Sequence, residues 1–219
     1  MTNTQLVRVH NLSVSLDGFA TGDGRTADEP FGHASLRLHQ WFFDTAMGRA
    51  QFGEPGGTTG LDNAIAEMHD HDIGAEIMGR GKFGWQTGPW ADESWRGWWG
   101  ETPPFHTPVF VLTHHLRPSL EMDGGTTFHF RDAAPADVVE EAKKAAGGRD
   151  VRLGGGPSVV RDFLVADLVD HMHVVVVPIL LGRGVRLWDG LEGLDQRFDI
   201  ETVASPSGVQ HVTFTKKAS

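Results

Sequence analysis

A chain of 219 residues is long enough to bury one sizeable core and short for two, so a single domain over residues 1–219 is the expectation. Lys plus Arg is 19 against 29 for Asp plus Glu, a formal net charge of -10 with no basic run, which argues against nucleic acid as a partner. Cysteine is absent, which removes disulfides, thiolate metal sites and a cysteine nucleophile; no leader-like or membrane-length apolar run occurs, so a cytoplasmic protein with no membrane partner is expected.

Residues 6–16 alternate apolar and polar side chains as a strand does, ending in Ser15-Leu16-Asp17-Gly18. Asp17-Gly18 turns the chain into a breaker-rich loop over 21–30, and Asp17 either faces a cleft or orders that turn. Residues 36–47 carry Leu38, Trp41, Phe42 and Ala46 at helical spacing, which predicts one helix with a buried face and with Asp44 on it. Residues 53–60 read as loop, and helical spacing resumes at Leu61, Ile65 and Met68. The run His69-Asp70-His71-Asp72 lacks a further ligand at diagnostic spacing, so no metal is expected.

A short strand at 75–78 feeds Gly79-Arg80-Gly81-Lys82-Phe83. A phosphate-bearing ligand would use Gly79 for close approach, Arg80 and Lys82 for charge and Phe83 or Trp85 for packing; a surface loop with solvated cations is the alternative. Five of the seven tryptophans, Trp85, Trp90, Trp95, Trp98 and Trp99, follow in sequence broken by Gly and Pro. Such a tract suits both sealing a core and walling a pocket for a flat ligand.

Residues 109–112 read as a strand buried on both faces, with Thr113, His114, His115 and Arg117 at its carboxyl end, where open α/β sheets place ligands. A strand at 127–130 and a helix over 135–146 follow, with Asp132 a candidate cap and Gly147-Gly148 the stop. Strand 151–153 then meets Gly154-Gly155-Gly156, and Pro157-Ser158 open a helix through Val160, Phe163 and Leu164. Three glycines remove every Cβ from this turn, so the helix start either offers free N–H groups to a phosphate or merely packs on the sheet. His171 and His173 lead into an apolar strand over 174–181, closed by Arg183, a candidate for a substrate anion. Strands at 198–204 and 209–215 form an antiparallel hairpin appended to an alternating, mostly parallel α/β sheet.

Met78-Gly79-Arg80 with Lys82 and Phe83, Val111-Leu112-Thr113, Gly154-Gly155-Gly156 at a helix start, Leu168-Val169-Asp170 before a strand, Pro178-Ile179-Leu180-Leu181-Gly182 and the terminal hairpin come in an order that resembles the dihydrofolate-reductase-like superfamily. Ser15-Leu16-Asp17-Gly18 narrows the likeness to the reductase domain of the riboflavin-biosynthesis deaminase-reductase, the RibD C-terminal domain family, over nearly the whole chain. The resemblance implies an α/β, dihydrofolate-reductase-like three-layer fold and a homodimer. It implies a reductase that transfers a hydride from NADPH to a small heterocyclic, carbonyl or imine substrate; a non-catalytic nucleotide-binding or sensor protein that keeps the groove is the alternative. Cofactor contacts then fall to Gly79, Arg80, Lys82, Phe83, Thr113, His114, His115, Arg117, Gly154, Gly155, Gly156, Pro157 and Ser158, and substrate contacts to Asp44, Trp85 and Arg183. Catalysis falls to Asp17, whose carboxyl, with a pKa raised by a partly buried pocket, would supply a proton. The chain departs from the prototypes in its tryptophan tract and in having Asp44 as the sole carboxylate on the helix where folate reductases hold the pterin.

Overall fold

A computed structural model of the chain describes residues 5–218. Strand β1 (Val7–Ser15) buries Val7, Val9 and Val14 on one face, an odd spacing made possible by a bulge at Asn11, whose φ is 57°. After the bulge Ser13 and Ser15 point to the opposite face. A short strand β2 (Phe19–Thr21) follows. The single helix predicted over 36–47 is instead three pieces: a 3-10 segment Gly32–Leu38, α1 (Gln40–Phe43) and α2 (Ala46–Ala50). The break has a local cause. Thr45 adopts an extended conformation, its hydroxyl accepts the Gly48 N–H at 2.9 Å, and its backbone bridges Thr58, so hydroxyl capping outcompetes helix continuation.

Helix α3 (Leu61–Glu67) leads to β3 (Ile73–Gly79), buried along its whole length, and then to a single helical turn, α4 (Arg80–Phe83). The tryptophan tract runs on to β4 (Pro108–Leu112), followed by β5 (Leu120–Glu121) and β6 (Thr127–Arg131). Helix α5 (Pro135–Ala146) has Pro135 in its first turn, a stripe of Val138, Val139, Ala142 and Ala146 buried, and left-handed Gly147 as its stop. Its N-cap is Ala134; Asp132, the predicted cap, pairs with His114 instead. Strand β7 (Asp150–Leu153) and helix α6 (Pro157–Val165) flank the triple glycine. Strand β8 (His171–Val177) starts three residues before the predicted 174 and stops before Pro178, which lacks the N–H a ladder needs. Strands β9 (Val185–Arg186), β10 (Phe198–Ala204) and β11 (Gln210–Lys216) complete the chain.

Nine strands form one sheet in the order β10-β11-β8-β1-β7-β3-β4-β6-β5, and β2 pairs with β9 separately. The six from β8 to β6 are parallel, while β11 joins β8, and β10 joins β11, antiparallel. The mostly parallel sheet with its C-terminal hairpin is therefore as expected. Side chains alternate across the sheet. One face carries Val7, Val9, Ile77, Phe110, Val151, Leu153 and Met172 and packs on α5 and α6 through Val138, Ala142, Val160, Phe163 and Leu164. Fully burying a side chain such as Phe163 stabilises the fold by about 1.5–3 kcal/mol. The other face has two separate apolar clusters, one around Trp41, Leu38, Val175 and Val177, the other around Met78, Phe83, Val109, Phe128 and the tryptophan tract. Between them lies a seam of charged side chains on the middle strands, Arg8, Glu76, Asp150 and Arg152. No described helix is long and apolar enough to cross a membrane.

Candidate functional site

The parallel strands β8, β1, β7, β3 and β4 end side by side, which is where open α/β sheets form a ligand crevice. The ends of β3 and β7 are laced together: Gly79 N–H donates to the Gly155 carbonyl and Gly154 N–H to the Ile77 carbonyl, each at 2.8 Å. A Cβ on Gly79 would sit 2.7 Å from Val159 Cγ2, so glycine lets α6 close on the strand. The three glycines of the turn are not equivalent. Around Gly155, with φ at 100°, and Gly156, a side chain would enter open space. At Gly154 it would land on Glu76 Oε1 and 2.6 Å from Lys82 Nζ. The absent side chain at Gly154 thus makes room for an internal ion pair rather than for a ligand, which corrects the expectation for that residue. Gly156 caps α6 without a side-chain bond, the first intrahelical bond runs from Val160 N–H to the Gly156 carbonyl, and Pro157 has no N–H. The N–H groups of Ser158 and Val159 therefore stand free of intrahelical partners at the positive end of the helix.

Arg80, beside this turn, lies flat on Trp90, 3.8 Å from the ring centroid, and donates one Nη1 bond to the Gly88 carbonyl. Its Nε and Nη2 are buried without a partner among the described residues. Arg117 approaches the Trp90 and Phe130 rings at 4.9 and 5.2 Å and is tied to the carbonyls of Trp95 and Glu93. Trp90 also bonds the His115 carbonyl at 2.6 Å, so the 113–117 loop and the Arg80 turn share one anchor. Thr113 spends its hydroxyl within its own turn, accepting the His115 N–H at 3.1 Å, and His114 pairs with Asp132 at 2.9 Å while its side chain is 90% exposed. Two cofactor expectations are corrected. Phe83 is 0% exposed, packed among Phe128, Phe130 and Trp90, and cannot meet a ligand. Lys82 does not stand as an unpaired cation for phosphate, because its Nζ shares its charge with Glu76 Oε1 at 2.8 Å.

Asp17 lies at the end of β1, yet its carboxylate accepts bonds from Ser15 Oγ at 2.5 Å, Leu181 N–H at 3.1 Å and Gly182 N–H at 2.7 Å. The Ser15 hydroxyl chiefly, then the two amides, hold its pKa at about 2 against the opposing effect of burial. The expected raised pKa is thereby overturned: Asp17 is a carboxylate at neutral pH and orders the segment after β8. Arg183, two residues beyond, is exposed and lines an open hollow of about 410 Å³ with Asp23, Glu29 and His33. Asp44 is exposed at the end of α1, accepting from Gln40 at 2.8 Å. Trp85 packs edge-on to Trp95 at 4.5 Å and lies 5.4 Å from Trp98, over the β4 and β6 half of the sheet. The structure does not bring Asp44, Trp85 and Arg183 together around one substrate.

Sequence reading missed a closely paired charged group on the middle strands. Arg152 donates Nε and Nη2 to Glu76 Oε2 and Nη1 to Asp70, while Lys82 holds Glu76 Oε1, giving a chain Asp70–Arg152–Glu76–Lys82 whose two middle members are buried and whose Asp70 end is exposed. Burial would raise the Glu76 pKa, but Arg152 and Lys82 outweigh it and hold the carboxyl below its ordinary value. For Lys82 burial dominates and, with Arg152, outweighs Glu76, so its pKa lies below that of an ordinary lysine. The signal was present: Glu76 and Arg152 are opposite charges within otherwise apolar strand runs, which a buried strand tolerates only as a pair. A second missed chain runs Asp62–His211–His173, with contacts of 2.8 and 3.1 Å. Among the described residues no group of three or more His, Cys, Asp or Glu is arranged to hold a metal ion.

A nicotinamide dinucleotide, which the fold resemblance implies, fits the residues at the β3 and β7 ends: Gly155 and Gly156 leave open space, the α6 start offers free N–H groups, and Arg80 has two unpartnered donors. Comparison with known proteins bears on the family and the fold. Residues 9–210 match the profile of the RibD C-terminal domain. A riboflavin-biosynthesis-type protein from Shewanella sp. PV-4 superposes with a TM-score of 0.62 at 19% identity, covering 98% of this chain and 100% of that one. Dihydrofolate reductase from Enterococcus faecalis, solved with NADP(H), gives 0.54 at 14% identity, covering 98% and 97%. A diaminohydroxyphosphoribosylaminopyrimidine deaminase/5-amino-6-(5-phosphoribosylamino)uracil reductase from Thermotoga maritima gives 0.51 at 13% identity, over 97% of this chain and 57% of that longer one. At these identities the structures share the dihydrofolate-reductase-like fold. No curated protein sequence matches the chain.

Proposed function

The chain belongs to the RibD C-terminal domain family, and from that premise we propose that it is an NADPH-dependent reductase of a small heterocyclic, carbonyl or imine substrate. The observation that carries the reading is Arg80, with two buried and unpartnered guanidinium donors, beside the open Gly155-Gly156 turn and the uncapped start of α6. A dinucleotide phosphate would complete those donors; no group among the described residues does. Gly79, Gly155, Gly156, Ser158 and Arg80 would hold the pyrophosphate side, and Thr113, His114, His115 and Arg117 the 2′-phosphate side. When bound, the reduced nicotinamide supplies a hydride. The protein's own part is to orient the substrate, exclude water and provide a proton. A homodimer belongs to the same reading and rests on the family resemblance.

Tryptophan-fluorescence titration with NADPH and NADH tests the cofactor assignment, followed by NADPH oxidation on a panel of small carbonyls, imines and pyrimidines. NADPH is expected to bind more tightly, and Arg80→Gln to weaken it by about tenfold or more, the scale of a lost charged hydrogen bond. Equal affinities for the two nucleotides, or an unchanged affinity in Arg80→Gln, would contradict the assignment. Asp17, held as a carboxylate, supports a second reading in which nucleotide binds without turnover. NADPH binding with no oxidation on any compound would favour it.

A further inference from the structure

We propose that Lys82 is the acid that protonates the substrate heteroatom, with the Glu76–Arg152–Asp70 chain orienting its ammonium group. The assignment rests on the reductase reading above. Lys82 stands on α4, directly after β3, and its Nζ reaches over the end of β7 to Glu76 Oε1 at 2.8 Å. A Cβ on Gly154 would come within 2.6 Å of that nitrogen, so the ammonium lies against the residue that opens the Gly155-Gly156 turn. One N–H is spent on Glu76, and the other two have no partner among the described residues. The side chain keeps 29% of its surface exposed, and its Nζ lies 5.6 Å from the Phe105 ring centroid.

The other ionisable groups near the strand ends fail as acids. Asp17 is already ionised, Glu76 is a buried carboxylate locked between two cations, and His39, partly buried, is neutral with a pKa lowered to about 4 by desolvation. The groups that face Lys82 are Glu76 from β3, Arg152 from β7, Asp70 from the turn after α3, His39 ahead of α1, and Arg25, whose guanidinium bonds the Gly81 carbonyl from the loop after β2. Burial and Arg152 favour loss of the Lys82 proton, and Glu76 and Asp70 oppose it. Glu76 keeps its charge partner after that loss, because Arg152 already holds Oε2 through two N–H groups.

The step balances. A bound reduced nicotinamide would supply a hydride with its electron pair to the substrate carbon, and the C=O or C=N π pair would move onto the heteroatom. The Nζ–H bond of Lys82 breaks as an O–H or N–H bond forms, and the neutral amine regains a proton from water. Arginine at this position would keep the cation but not the acid.

Lys82→Arg and Lys82→Met test the assignment on the panel compound that the parent turns over fastest. Both variants are expected to lose kcat by about a hundredfold or more, with the Kd for NADPH changed less than about threefold. In the parent, kcat/KM should fall as pH rises through the Lys82 pKa. Independently of turnover, protein labelled with 13C at lysine Cε should give five resonances, one for each lysine of the chain. The one missing from Lys82→Arg should titrate at lower pH than the rest. Retained turnover in Lys82→Arg, as a merely structural cation would allow, overturns the assignment alone, and so does titration of Lys82 together with the other four. No turnover by the parent on any compound overturns the reductase reading and this assignment with it.

Discussion

Acidification should destabilise this fold well before its carboxylates titrate. His173 is buried and His10 and His39 are partly buried, and loss of water around the ring, the largest cause in each, lowers the pKa of His10, His39 and His173 from 6.5 to about 2, 4 and 3. In the unfolded chain they return to about 6.5. A folded pKa below the unfolded one means that the unfolded state binds more protons between those limits. The stability tied to these groups is therefore complete above pH 6.5 and is lost as pH falls below it, down to about pH 4 for His39, 3 for His173 and 2 for His10. Each histidine contributes a slope of about 1.4 kcal/mol per pH unit once below 6.5, so the three together approach about 4 kcal/mol per unit near pH 5. Against a typical stability of about 5–15 kcal/mol, one such unit is a large fraction of the whole. The depressed carboxyls Asp62, Asp70 and Glu76 act in the same direction but only from their ordinary pKa downward, so between pH 6.5 and about 5 the slope belongs to the histidines. Urea unfolding followed by tryptophan fluorescence at pH 7.5, 6.5, 5.5 and 5.0 measures the slope. His39→Phe removes one contributor; the His39 ring lies tilted against Phe31 at 4.6 Å and its Nδ1 is buried without a partner among the described residues, so an apolar ring suits the site. The variant should lose roughly a third of the slope. A flat urea midpoint from pH 7.5 to 5.0, or an undiminished slope in His39→Phe, would refute the reasoning.

Gly154→Ala should displace the Glu76–Lys82 pair and cost about 1–3 kcal/mol, the scale of overpacking, with a fall in Tm of roughly 2–12 °C; a calorimetric Tm within a degree of the parent would mean that the ion pair has room to spare. Asp17→Asn leaves one acceptor where Ser15, Leu181 and Gly182 now find two, so amide exchange at Leu181 and Gly182 should quicken while turnover falls less than about tenfold. A hundredfold loss of turnover with unchanged exchange would return Asp17 to the role of acid.

The order of elements was legible in the residues because each carries its own local signal. Pro135 and Gly147 bracket α5, alternation marks β1, and glycine followed by proline opens α6; these depend on neighbours a few positions apart. The ordered motifs also carried the family. The helix over 36–47 failed for an equally local reason with a distant component, since Thr45 caps Gly48 but also bridges Thr58. The site was less legible. Arg80 and Lys82 read alike as cations two residues apart on a glycine turn, yet one lies on Trp90 with donors to spare and the other turns inward to Glu76. Asp17 read as a cleft acid until Leu181 and Gly182, more than 160 positions away, donated their N–H groups to it. Arg152 sat unnoticed in a strand until β7 was placed beside β3. Local propensity determines which segments become strands and helices; the protonation state and direction of a side chain depend on charges and amides that only the packed sheet brings within 3 Å, where burial makes each of them count.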